Sequence, residues 1–319
     1  MPGGCLLMKS AVCTLFGGRY HHYGLGALAN SLFAHGFRGT IFAGYDGPLP
    51  PWAKNVRADD GYFDFEVADG LDIRFIPLQP QVHFSNYKPD FLLNVWNKHC
   101  PQAETLFYFD PDITIKCRWK FFEEWVEAGI AICHDVNNSM PDNHPIRYAW
   151  RKLLTPQGLL FRTSFDDYFN AGFIGVSSKN NSFLKLWRDT QILIQKLGAD
   201  LQGIRTGDRT LPFAFRDQDA LNIACMVTEH DVSPVGQNGM DFQHGGGGYV
   251  MSHAVGILKP WNKRFLQMAL LHANPPSGAD KEFFLNATSP VRLYPSIVLS
   301  YKRLVLLAAS CLGRFMHRG

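Results

Sequence analysis

The stretch Thr105-Leu106-Phe107-Tyr108-Phe109-Asp110-Pro111-Asp112 decides how this chain is read. Its first five residues are apolar or strand-favouring and lie between Pro101 and the Asp-Pro pair, which predicts a short strand buried in a sheet. The strand ends abruptly on two carboxylates one residue apart. Pro111 fixes its own φ and stiffens the turn, so Asp110 and Asp112 can face one point. Hard oxygen ligands of this kind suit Mg²⁺ or Mn²⁺ and leave coordination positions for diphosphate oxygens. The plain alternative is a polar turn at a strand end, because an isolated D-x-D is frequent by chance.

The segments on either side alternate between strand and helix patterns. Residues 10–16 read as a buried strand broken by Gly17 and Gly18, residues 23–35 as a helix ending before Gly36, and residues 40–43 as the next strand. Residues 46–62, with Pro48, Pro50, Pro51 and Gly61, read as a loop. Strands are expected at 71–78, 129–133, 169–177, 230–235 and 249–253, and helices at 89–98, 121–127, 182–197 and 217–226. This order predicts an α/β fold: a mixed, mainly parallel, Rossmann-like sheet flanked by helices. Ligands of such sheets bind beyond the carboxyl ends of the strands. Three segments are therefore expected on one edge: the loop after residue 16, Asp110–Asp112, and the segment after residue 169. Gly245–Gly248 reads as a flexible loop.

Bulk properties narrow the function classes. With 319 residues the chain can bury a full core without disulfides. A net charge of +3 is too weak to argue for nucleic acid as a partner. The 7 cysteines show no paired spacing, so neither a disulfide framework nor a zinc ribbon is expected. Cys5–Met8 is too short for a signal peptide, and no run approaches the roughly 18 apolar residues of a spanning helix. The chain reads as cytoplasmic, with peripheral attachment to the inner face of a membrane as the variant suggested by its tail.

A second constellation is His253-Ala-Val-Gly256-Ile-Leu-Lys259-Pro260-Trp261. A histidine at a strand end can complete an O,O,N metal site. Gly256 permits close backbone approach, and Lys259 can meet a phosphate as a point charge. A lone histidine is commonly structural; the whole spacing, downstream of a strand-terminal D-x-D, is more telling.

The spacing H-x-x-G-x-x-K-P-W resembles the signature of glycosyltransferase family 8, which includes glycogenin and bacterial lipopolysaccharide galactosyl- and glucosyltransferases. Three further stretches resemble that family in the expected order: Tyr108–Asp112, Phe169-Asn170-Ala171-Gly172-Phe173, and Asp217-Gln218-Asp219-Ala220-Leu221-Asn222. The resemblance implies a GT-A fold over residues 1–275 and a UDP-sugar donor. It implies Mn²⁺ (or Mg²⁺) held by Asp110, Asp112 and His253, with Lys259 and Gly256 at the diphosphate. Asn170, Asp217 and Gln218 would line the donor sugar and act in catalysis, and Asp135 and Lys88 would approach the donor. Thr14, Phe16 and Tyr20 would face the uridine, although Gly17-Gly18-Arg19 departs from the family pattern there. The family transfers with retention of anomeric configuration. Two readings from other classes stay open. One is a silent member that only binds nucleotide-sugar or glycan. The other is a sugar nucleotidyltransferase, faintly echoed by Gly17-Gly18-Arg19.

Residues 276–319 read as a helical tail. Between 292 and 318 it carries Arg292, Lys302, Arg303, Arg314 and Arg318 among many apolar residues and no acidic one. An amphipathic, acid-free basic helix suits an anionic lipid surface. The alternative is a helix docked on the body with its cationic stems lying along apolar surface. A glycan or lipid-linked glycan is the acceptor this combination suggests.

Overall fold

The computed structural model describes residues 9–18, 21–137, 139–242 and 248–316. The chain begins with β1 (Ser10–Gly17), α1 (His22–Ala34), β2 (Gly39–Asp46), β3 (Arg57–Asp59), β4 (Tyr62–Ala68), β5 (Leu71–Pro77) and α2 (Lys88–Asn94). It continues through β6 (Thr105–Phe109), β7 (Ile113–Ile115), α3 (Trp119–Trp125), β8 (Ile130–His134), α4 (Pro145–Leu154), β9 (Phe169–Ser177) and α5 (Ser182–Lys196). Last come α6 (Arg216–Val227), β10 (Val232–Val235), β11 (Met251–His253), α7 (Phe265–His272), α8 (Gly278–Leu285) and α9 (Ser296–Met316). The expected mixed, mainly parallel α/β sheet flanked by helices is present, and so is the C-terminal apolar helix.

The main sheet runs β10-β8-β9-β6-β1-β2-β5-β4-β3. β1, β2, β5 and β6 are mutually parallel, and β8 is parallel to β10. β9 lies antiparallel between β6 and β8. One reversed strand has a positional consequence. The start of β9, not its end, shares the edge formed by the carboxyl ends of β1, β6 and β8. The expected third segment after residue 169 thus reaches that edge because its strand runs the other way.

The sheet is buried on both faces, which is why its strands read as continuous apolar runs. Along β1 the side chains alternate: Ala11, Cys13 and Leu15 join a core with Trp187, Leu221 and Trp150, while Val12 and Phe16 join one with Leu28, Trp119 and Phe122. A third cluster joins Ala27 of α1 to Trp261, Phe283, Phe284, Tyr294, Leu299 and Leu306.

Four local features differ from the sequence expectation. The segment read as a loop at 46–62 contains β3 and leads into β4, an edge hairpin whose side chains are exposed on β3 and mostly half-buried on β4 and therefore lack a clean alternation. β7, α4 and α7 carry no signal that the sequence reading registers. α4 owes its place to the fully buried Arg147, which donates to the carbonyls of Met140 (2.9 Å) and Asp167. The helix expected at 89–98 is α2 followed by a wider π-helical turn, Val95–His99. Finally, a spanning-length apolar segment was not expected, yet Ser296–Phe315 is long and apolar enough to cross a membrane by length and composition, because only Lys302, Arg303 and Arg314 interrupt its uncharged residues. The Gly245–Gly248 loop falls, except for Gly248, outside the described residues.

α1 is the hub that ties the C-terminal third to the sheet. Asn30, 1% exposed, donates from Nδ2 to the carbonyls of Asn286 and Val291, both at 2.7 Å, and accepts the Val291 amide at 2.6 Å. Asn30→Ala strands three buried backbone groups. We expect it to cost about 3 kcal/mol, read as a lower urea midpoint with an unchanged m-value; a loss below about 0.5 kcal/mol would show that this anchor does not matter.

Candidate active site

Asp110 and Asp112 stand just beyond β6, where the sequence places them. The turn between them is held close to α1: a Cβ on Gly24 would lie 2.3 Å from the Pro111 carbonyl oxygen and 2.9 Å from Trp261. β7, which follows the turn, pairs antiparallel with β11, matching Ile113 with His253. The ladder is closed by the Ala254 amide donating to the Asp112 carbonyl at 3.1 Å. This short two-stranded ladder brings the distant histidine to the carboxylates. His253 Nε2 lies 3.4 Å from Asp112 Oδ1 and 3.7 Å from Asp110 Oδ2.

One ligand atom from each of Asp110, Asp112 and His253 falls within 4.8 Å of the others. Neighbouring ligands of a six-coordinate ion at about 2.1 Å stand about 3 Å apart. A divalent cation therefore fits with small side-chain movements. Two carboxylates and an imidazole form a donor set suited to Mn²⁺ or Mg²⁺. The buried His253 Nδ1 has no hydrogen-bond partner among the described residues. It faces Gly172, where a Cβ would lie 2.4 Å from His253 Cε1. The glycine of the F-N-A-G stretch thus makes room for the imidazole.

Each carboxylate divides its oxygens. Asp110 Oδ1 accepts from Tyr108 at 2.8 Å and meets Lys88 Nζ at 3.1 Å, leaving Oδ2 toward His253. Asp112 turns Oδ2 to Lys259, whose ammonium also donates to the Ala254 carbonyl at 2.9 Å. Burial opposes the charge on Asp112, yet His253 and Lys259 overcome it and hold the carboxyl well below the usual range. Gly256 takes a φ of +100°, in the left-handed region, within the turn that brings Lys259 back over the pair.

Lys88 is 3% exposed and is fully engaged: besides Asp110 it meets Asp217 Oδ2 at 3.2 Å and donates to the Ala171 carbonyl at 2.8 Å. Burial works against its charge, but Asp110 and Asp217 together raise its pKa above the ordinary lysine value. Its ammonium is thus spent on the carboxylate cluster, not extended toward a donor as expected. Burial pushes Asp217 upward, with Lys88 pulling it back.

Asn170 links the other side chains. Its Nδ2 donates to Asp135 Oδ2 at 2.6 Å and approaches Gln218 Oε1 at 3.4 Å, while its Oδ1 accepts the Gly172 amide at 2.8 Å. Gln218 Oε1 also accepts the Ala171 amide at 3.3 Å. Asn170, Asp135, Asp217 and Gln218 therefore form one wall beside the Asp110–Asp112–His253 cluster.

The nucleotide-facing expectation needs correction. Phe16 is 3% exposed and stacks on Tyr45 at 5.7 Å inside the core, and Thr14 is fully buried, so neither presents a surface to uridine. Both lie on one face of a strand covered by α1. Tyr20 lies outside the described residues. Residues the sequence did not single out also border the cluster. His21 lies at the start of α1; burial lowers its pKa, and the charges of Asp112, Lys259 and Asp110 act on it. Arg209 donates to Asn137 Oδ1 at 2.5 Å, and Asn137 in turn holds Asp135 Oδ1. A histidine after a strand-ending Gly-Gly was a usable signal for the first; nothing local marks the second.

No family's sequence model matches the chain, and no curated protein matches it. Among solved structures the chain is similar to the apo structure of WbbM, a bifunctional glycosyltransferase, at a TM-score of 0.55 and 13% identity. The alignment covers 92% of this chain and 52% of WbbM, so the chain spans about half the length of that protein. At this identity the likeness is one of fold.

Asp219, in the first turn of α6, accepts from the Tyr168 hydroxyl at 2.6 Å and from the Phe215 amide at 2.8 Å. Burial raises its pKa to about 7. The folded state then holds a proton that the unfolded chain releases above about pH 4. This group's contribution to stability therefore falls as pH rises from about 4 to 7 and is flat beyond. Asp219→Asn should flatten the decline in urea stability between pH 5 and pH 8; an unchanged pH profile would refute the assignment.

Proposed function

We propose that this chain is a metal-dependent glycosyltransferase of the family 8 type. On this reading it moves a hexose from a UDP-sugar to a glycan or lipid-linked glycan with retention of configuration. The observation that carries the reading is the meeting of Asp110, Asp112 and His253 at one point, with Lys259 beside them. The fold likeness to a glycosyltransferase supports it.

Bound Mn²⁺ or Mg²⁺ would neutralise negative charge on the departing diphosphate. Asp110 and Asp112 would serve as its oxygen ligands and His253 as its nitrogen ligand. Lys259 pairs with a phosphate oxygen, and Gly256 keeps its turn open to the diphosphate. Lys88 bridges Asp110 and Asp217 and fixes their positions. Asn170, Asp135 and Gln218 orient the donor sugar. An amide is a poor nucleophile, so Gln218 stabilises developing positive charge; the acceptor hydroxyl attacks from the face the diphosphate leaves, the bond from the anomeric carbon to the phosphate oxygen breaks, and that departing oxygen takes the hydroxyl proton. The catalytic body is residues 1–275, acting at the cytoplasmic face.

The tail supplies the attachment in this reading. On α9 the outward positions Ile297, Tyr301, Leu304, Leu307 and Phe315 are exposed. Arg303 donates inward to the Phe284 carbonyl at 2.8 Å, and Lys302 lies 5.1 Å from the Tyr294 ring. The free face is apolar, which favours insertion among lipid chains over purely electrostatic contact. The full chain should co-sediment with vesicles of anionic lipid, and the pair Leu304→Asp with Leu307→Asp should abolish this; equal sedimentation of both proteins would exclude α9 as the anchor.

The chemistry is tested by UDP release from UDP-galactose, UDP-glucose and UDP-N-acetylglucosamine, with and without Mn²⁺. We expect turnover of one donor, dependent on metal, and a loss of about a hundredfold or more in Asp112→Asn. Gly172→Ala, which crowds His253, should weaken Mn²⁺ binding measured by calorimetry without unfolding the protein. Pyrophosphate release would replace the reading with a nucleotidyltransferase. UDP-sugar binding without turnover would leave a silent binder.

A further inference from the structure

Three guanidinium groups lie on the loop before α6 and at its first residue, and none is ion-paired among the described residues. Arg205 is exposed, and its backbone bridges to Phe215. Arg209 donates to the neutral Asn137 and lies 5.2 Å from the Phe215 ring centre. Arg216 is the unusual one. It is 7% exposed, and its buried Nε and Nη1 have no hydrogen-bond partner among the described residues. A buried guanidinium with no direct ion pair is costly and persists where something else holds it in place. Here the next three residues do so: Asp217 is tied to Lys88, Gln218 to Ala171 and Asp219 to Tyr168.

The surroundings of Arg216 are complementary to a particular kind of group. Gly203 leaves it room, since a Cβ there would lie 2.9 Å from Nη1 and 3.7 Å from Asp200 Oδ2, a carboxylate that stands near the guanidinium without forming an ion pair with it. Asn86 flanks the same glycine, donating from Nδ2 to the carbonyls of Leu201 (2.6 Å) and Gly203 (3.0 Å). The buried Asn86 Oδ1 also has no partner among the described residues. Unpaired donors and an unpaired acceptor thus flank one backbone segment. An oxyanion would satisfy the former and a neighbouring hydroxyl the latter. The place adjoins the cluster from the α6 side: Asp217 follows Arg216 directly, and His83, whose amide donates to the Leu201 carbonyl at 2.9 Å, is acted on by Asp217 and Lys88. Lys259, by contrast, approaches from the segment after β11.

We infer that Arg216 anchors an anionic group, a carboxylate or a phosphate monoester, carried by the sugar acceptor, with Asn86 Oδ1 taking an adjacent hydroxyl. Only the word acceptor rests on the transferase reading; the anion site stands on Arg216 and Asn86.

The test titrates inorganic phosphate, glucuronate and glucose, at constant ionic strength and without divalent metal, into the full chain and its Arg216→Gln and Arg209→Gln variants. Calorimetry and melting temperature are both read. We expect saturable binding of an anion and none of glucose. Affinity should fall roughly tenfold to a hundredfold in Arg216→Gln and stay near wild type in Arg209→Gln. Binding of phosphate alone assigns a phosphate monoester, and binding of glucuronate assigns a carboxylate. Without ligand, Arg216→Gln should melt no lower than wild type, because it removes an unpaired charge. The inference is overturned by no saturable anion binding, by equal binding to Arg216→Gln, or by a ligand-free Arg216→Gln that melts several degrees lower. UDP binding with Mn²⁺ is measured on the same samples. Anion binding without UDP binding would sink the transferase reading and leave this site standing, and the reverse would sink this site alone.

Discussion

Like-charge repulsion at one edge of the sheet is the constraint around which the rest of the molecule is arranged. Asp110 and Asp217 both contact the ammonium of Lys88, at 3.1 and 3.2 Å, so they stand within about 6 Å of each other and repel by about 3 kcal/mol at an effective dielectric near 20. Asp112 is two residues further on. Lys88, buried between the first two, and Lys259, on the outer oxygen of the third, make the cluster tolerable. Each cation takes one oxygen and leaves the other directed at His253. The carboxylates are thereby held in fixed orientation, as a metal site would require.

The sheet makes that convergence available. Reversing β9 between two parallel neighbours places its first residues, Phe169-Asn170-Ala171-Gly172, at the edge where β6 and β8 end. One strand end then supplies Asp110, another leads into Asp135, and a strand start supplies Asn170 between them. The β7–β11 ladder adds His253 from far along the chain. Glycines 24 and 172 are small for a reason legible only here: each sits where a side chain would strike the Asp-Pro-Asp turn or the imidazole.

The tail carries its own lesson about composition. Its cations suggested an electrostatic surface, but packing turns Arg303 and Lys302 toward the body and leaves an apolar stripe outward. The same residues in the same helix present a different face once α7, α8 and Tyr294 occupy the other side.

Periodicity, buried runs and punctuation in the sequence determined the fold class and most element positions, because strands covered on both faces and helices with caps or glycine stops carry local signals. The four motif stretches were likewise readable, since residue type and order do not depend on packing. What the tertiary structure alone decided is orientation. Thr14 and Phe16 turned into the core because α1 covers that face of β1. Lys88 was absorbed by two carboxylates that lie far from it in the chain. Arg209, Asn137 and Arg216 gained meaning only through neighbours brought by long loops. Contacts between residues a hundred or more positions apart leave no local periodic trace, so a sequence names the groups while the fold sets which of them meet.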